Sequence, residues 1–194
     1  MQRLYSSSGD PGERPAVPAW VQPPQDELPV LLPIGEVLAR TAGTVLAVSA
    51  LEVYSTGVVI RVDSVLRRLG ETAKDWSWIL HGGFGRREDP PGDELHWRVV
   101  LAEGSTAEFG GFPHGRAWDE QPEGWSLSFA NGGGGGGGDE RYDQHHGLWL
   151  WPLPPEGPME LVAEWRERGI LESRVTVDGA AILAAVPRVR SLWP

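Results

Sequence analysis

The sequence predicts a mostly-β chain: an antiparallel β-sandwich of about seven or eight strands, with one short inserted helix and a C-terminal helical segment. Three observations lead there. Apolar and polar residues alternate at period two in several short runs, the mark of half-buried strands. Turns containing Gly or Pro separate those runs at sandwich-like spacing. The helix that a parallel sheet needs after each strand is missing.

The chain opens with seven prolines in its first 33 residues, at positions 11, 15, 18, 23, 24, 29 and 33. Proline lacks an N–H and fixes φ, so residues 1–33 are expected as an extended arm rather than a helix or a central strand. Inside the arm, Pro15-Ala-Val-Pro18 has the PxxP form of a ligand for aromatic grooves. A plain leader arm has the same composition. Residues 34–194 are then expected as a single sandwich domain.

From Thr44 the pattern changes. TVLAVSALEVY is β-branched and apolar, Ser55-Thr56-Gly57 offers a turn, and VVIRVDSVL follows. In that second run Val58, Ile60 and Val62 alternate with Val59, Arg61 and Asp63, which reads as a hairpin with one wet face. Ala73, Trp76 and Leu80 stand at near-helical spacing within residues 71–80, so this segment is expected as the inserted helix. Strands are expected over residues 95–102 and 125–130, the latter with Trp125, Leu127 and Phe129 on one face. Three more follow over 148–153, 159–165 and 172–177. Asp178 can cap a helix starting at Gly179, and Pro187 stops or kinks it. The run Gly132–Gly138 has no side chains to pack, so residues 131–139 are expected as a flexible loop.

The charge balance excludes one class of partner. The net charge is −10, and between Arg86 and Asp143 five arginines stand against twelve acids. Nucleic acid and anionic lipid attract Lys and Arg clusters and repel such a surface. The chain has no cysteine, which removes disulfides, zinc-thiolate sites and thiol catalysis. No signal peptide and no 18-residue apolar run is visible, so a soluble, cytoplasmic protein is expected, without a membrane partner. Lys74 is the only lysine beside many arginines, a bias that a GC-rich bacterial genome imposes on its coding sequences.

The stretch Trp149-Leu-Trp-Pro-Leu-Pro-Pro-Glu-Gly-Pro158, with Glu164-Trp165, Gly169-Ile-Leu-Glu172 and the closing Leu192-Trp193-Pro194, carries a resemblance. It resembles a group of uncharacterised actinobacterial proteins that have a glycine run before a similar WLWPLPP segment. The resemblance covers roughly the C-terminal third and part of the first hairpin. It implies no activity, ligand or catalytic residue, and it agrees with the arginine bias about the kind of organism.

Several patterns could carry chemistry. A phosphate loop needs a strand before it, a helix N-terminus after it and usually a lysine, whereas Asp139-Glu140 follows the glycine run. Asp143, His145 and His146 form a candidate metal set; Asp143 and His145 point to one side of an extended chain, no further ligand to join that pair stands at a known spacing, and His114 or His96 could approach in space. No nucleophile elbow or calcium loop is present. Trp149 and Trp151 project from one face of a strand. Exposed, they would make a sugar-stacking platform or a protein-interface hot spot; covered, they are core. Apolar Leu148, Leu150 and Leu153 beside them point to a strand buried on both faces, and so to core.

The expected function is therefore a non-enzymatic binding or interaction module, reached largely by elimination, with no cofactor. Its partner is an unknown protein or a second copy, met through loops or a sheet face, with Trp149, Trp151, Pro15 and Pro18 as interaction residues. The alternatives are a metal-dependent site on Asp143, His145 and His146, and carbohydrate binding through exposed tryptophans.

Overall fold

The computed structural model describes residues 17–82, 95–110, 120–130 and 133–194. In chain order the elements are β1 (Glu27–Leu28), β2 (Val30–Arg40), β3 (Thr44–Val53), β4 (Val58–Arg67), helix α1 (Ala73–Gly82), β5 (His96–Val100) and β6 (Thr106–Glu108). There follow β7 (Ser126–Phe129), β8 (Gly134–Gly137), β9 (Arg141–Trp151), β10 (Pro158–Trp165), β11 (Ile170–Asp178), helix α2 (Gly179–Ala185) and β12 (Arg190–Ser191). The expected mostly-β class holds, with antiparallel sheets and two helices, 53% strand against 13% helix. The strand number differs: twelve strands in three sheets among the described residues, not seven or eight.

The largest sheet has the order β2-β3-β4-β9-β7, with β8 pairing β9 beyond the end of β7. The second has the order β11-β10-β5-β6, and β1 with β12 makes a two-stranded third. An isolated bridge, Phe109 to Leu127, links the end of β6 to β7. Both large sheets send side chains into one apolar cluster that includes Leu46, Ile60 and Leu148 from the first sheet and Val99, Leu161 and Trp165 from the second. Burial of such side chains is worth about 1.5–3 kcal/mol each before chain entropy is counted.

Local chemistry explains most elements. The expected hairpin is β3–β4, closed by a Tyr54 N–H bond to Gly57 O of 2.9 Å, with Val58, Ile60 and Val62 buried and Arg61 and Asp63 less so. Gly57 must stay bare, because a Cβ there would lie 2.5 Å from Trp149 Cη2. Thr72 starts α1 by accepting from the Asp75 N–H at 3.2 Å. Asp178 caps α2 as expected, accepting from the Ala180 N–H at 2.9 Å. Between the sheets, Arg168 acts as a tie. Its Nη1 pairs with Glu71 at 2.9 Å, and its Nε donates to Thr44 Oγ1 at 3.0 Å. Burial alone would raise the Glu71 carboxyl, but backbone N–H bonds and the Arg168 guanidinium outweigh it and hold that group below its usual range.

Two segments differ from expectation. Residues 30–33 of the proline-rich arm belong to β2, which runs to Arg40. Proline is tolerated because β2 is an edge strand, and register shifts around Pro33–Glu36 and Val37–Ala39 absorb its breakers. The glycine run, expected as a flexible loop, supplies β8: Gly134, Gly135, Gly136 and Gly137 pair with His145, Gln144, Asp143 and Tyr142. The backbone alone makes that ladder, so the missing side chains do not prevent it.

Candidate functional site

Register across the largest sheet sorts its side chains onto two faces. Val59 lies opposite Trp149, Asp63 opposite His145, and Val65 opposite Asp143, all on the face turned away from the main core. On that outer face an alternating strand would leave its residues wet, yet Trp149 is fully buried. It forms a separate small cluster with Val59 and Ala130, flanked by Tyr54 and Trp151.

The cover is the N-terminal arm. Trp149 Nε1 donates to Ala19 O at 2.9 Å, and the Trp20 and Trp151 rings meet edge to face at 6.1 Å. Val21 and Gln22 are themselves buried. The arm is not extended here: the Val21 N–H bonds to Pro18 O at 2.9 Å, so Pro18 opens a turn that presents the Ala19 carbonyl and the Trp20 ring. Tyr54 stands edge-on to Trp149 at 5.8 Å. Burial first, then the nearby Glu52 and Glu27 charges, raise the Tyr54 hydroxyl above its usual range, so it stays neutral.

Two hydroxyl oxygens on neighbouring elements are buried. Ser128 is the register partner of Trp149 on β7, and Thr56 precedes the Gly57 that touches the indole ring. Neither Ser128 Oγ nor Thr56 Oγ1 has a hydrogen-bond partner. A buried hydroxyl without a partner costs about 1–3 kcal/mol.

The residues singled out in the sequence fall as follows. Trp149 is buried and Trp151 half-buried, so a sugar platform there lies under the arm. Pro18 opens the turn, and Pro15 lies outside the described residues. The metal candidates are divided by the pleat of β9. Asp143 is held by Arg141, at 2.7 Å from Nη2 and 3.2 Å from Nε. His145 Nδ1 is 2.6 Å from Asp63 Oδ1. His146 points to the opposite face, its ring 5.4 Å from that of Phe129. Among the described residues no three His, Cys, Asp or Glu side chains gather closely enough to hold a metal ion.

Sequence reasoning missed Ala19, Trp20, Tyr54 and Asp63. One signal was available for Trp20: a large aromatic residue set inside a proline-rich arm. Asp63 had none, because its partner His145 is distant in sequence and meets it only through the β4–β9 register.

The burial of His146 has a consequence for stability. Desolvation first, then the His145 charge, hold its ring below the usual histidine range. The unfolded chain therefore binds its proton first as pH falls, so stability is full above about pH 6.5 and declines below it. His146→Phe is expected to flatten that decline between pH 7 and 5. Urea midpoints compared across that range check it, and an unchanged slope would contradict it.

No family model, no curated protein and no solved structure matches the chain.

Proposed function

We propose that the protein is a non-enzymatic, cytoplasmic binding module of sandwich build, recognising a segment of a protein partner through the outer face of its largest sheet. One observation carries this reading: the Trp149–Trp151–Tyr54 patch already holds a peptide segment, residues 17–22, through an indole-to-carbonyl bond and an edge-to-face tryptophan contact. The ligand it favours has the same form, a proline-opened turn with a free backbone carbonyl and an aromatic side chain. Aromatic anchors set in a desolvated pocket are the usual centre of protein recognition. The acidic surface turns such a module away from nucleic acid and towards proteins.

The full-length protein carrying Trp20→Ala and Val21→Ala tests the reading, because its arm is loosened. A synthetic peptide of residues 17–24 is expected to shift the Trp149 indole N–H resonance saturably. Wild type should respond at least about tenfold more weakly, since a tethered segment competes at millimolar effective concentration. No shift in the loosened protein up to millimolar peptide would remove the proposal.

A further inference from the structure

Apolar exposure is concentrated at one place. Seven large apolar side chains stand exposed among the described residues, and four of them, Leu28, Leu31, Leu192 and Trp193, belong to β1, the start of β2 and the chain just after β12. These segments lie side by side: Leu28 is the register partner of Arg190, and the Leu192 N–H bonds to Asp26 O at 2.7 Å. An open cleft of about 500 Å³ is lined by Leu28 and Leu31 from the first segment and by Arg188 and Arg190 from the second. Single apolar residues are ordinary on a surface, whereas a contiguous group marks an interaction site.

Charge singles out the same place. The chain carries −10, and Arg61, Arg98, Arg141, Arg166, Arg168 and Arg174 each stand against an Asp or Glu. Arg188 and Arg190 are exposed and have no carboxylate partner among the described residues. Neighbouring acids do not serve them. Glu27 accepts from the Ser55 N–H at 2.9 Å, and Glu52, across the ladder from Leu31, is held by Arg61 at 2.8 Å. A guanidinium offers only donors, in a planar fork that matches a carboxylate.

We infer that this cleft is an interaction site for an acidic segment of a partner protein, with carboxylates on Arg188 and Arg190 and an apolar side chain against Leu28 and Leu31. It is independent of the Trp149 patch, which lies on β9, three strands across the sheet from β2. Charge separates the candidate partners. A membrane surface or a nucleic acid presents negative charge over its whole extent and meets the field of the entire acidic chain. A short segment meets the cleft alone, because acids farther off than about 8 Å are largely screened at physiological salt. Each exposed ion pair adds little by itself, so two arginines beside two leucines make a site of modest, salt-sensitive affinity.

The test uses the full-length protein and the synthetic peptide Asp-Glu-Leu-Leu-Glu-Asp, whose doubled residues offer an acid and a leucine to either side of an extended chain. Saturable shifts of the Leu28, Leu31 and Arg190 amide resonances are expected, with affinity falling severalfold from about 50 to about 500 mM salt. The uncharged peptide Asn-Gln-Leu-Leu-Gln-Asn should bind about threefold to tenfold more weakly, the effect of two exposed ion pairs. Arg188→Ser with Arg190→Ser should erase that difference, and Leu31→Ser should weaken both peptides. All three replaced side chains are exposed, so these variants should melt as wild type does. No shift at millimolar acidic peptide, or equal binding of the two peptides, overturns the inference. A charge preference that survives the double substitution overturns it too. Vesicles of phosphatidylglycerol and phosphatidylcholine form the second arm: shifts of the same resonances by vesicles and not by peptide would assign the surface to membranes instead. Self-association that Leu31→Ser abolishes, with no peptide binding, would assign it to a second copy.

Discussion

Trp149→Ala is expected to lower the free energy of unfolding by about 3–5 kcal/mol, as much as truncating a large side chain at the centre of a core. The side chain nevertheless stands on the outer face of its sheet, where the strand pattern alone would leave it wet. Three losses combine. The indole is fully buried, so its contacts with Val59 and Ala130 go. Its bond to Ala19 O goes too, and with it an anchor of the arm. The half-buried Trp151 then loses Trp20 across its ring edge. Trp149→Phe separates these contributions, since it keeps a ring and loses the N–H; about 1–2 kcal/mol is expected for it. Denaturant titration of both proteins measures the difference. A Trp149→Ala loss below about 1 kcal/mol would show that the arm does not form a second core.

Alanine substitution along β8 is expected to alternate in effect. Gly135→Ala and Gly137→Ala should each cost about 1–3 kcal/mol, with Gly137→Ala the worse. A Cβ at Gly135 would stand 2.9 Å from Asp143 O, and one at Gly137 would run into the backbone of Arg141 and Tyr142. Backbone cannot swing aside as a side-chain tip can. At Gly134 and Gly136 the same Cβ meets nothing within 4 Å. Those two substitutions should be neutral or stabilise by about 0.5 kcal/mol, because alanine loses less freedom than glycine on entering a strand. Thermal melts of the four single variants read the pattern, and hydrogen exchange at the β9 amides locates it. Equal costs at all four positions would mean that β8 is not paired with β9 in solution.

Both results bear on how the Trp149 patch is built. β9 carries Trp149 at one end and pairs with the glycine strand at the other, and it lies between β4 and the β7–β8 edge. A strand held on both edges keeps its outward residues in place, so Trp149 and Trp151 are presented on a stiff support. The arm that covers them is joined to β1 through Pro23-Pro24-Gln25-Asp26.

Much of this was legible in the chain itself. The alternation of Val58, Ile60 and Val62, the Ser55-Thr56-Gly57 turn and the Asp178 cap are local features, and period, turn chemistry and capping operate within a few residues. They determined the mostly-β class, the β3–β4 hairpin and the last helix. The arm's prolines likewise determined that its described part, residues 17–33, enters no central strand. What the tertiary structure alone decided is which outer face is dry and what covers it. Trp149 meets Ala19 across 130 residues, and His145 meets Asp63 across 82. No local pattern encodes such distances, because the contact depends on strand register and on where the arm lands. The glycine strand belongs with these: its sequence carries no preference for any partner, and only the backbone of β9 beside it makes it a strand.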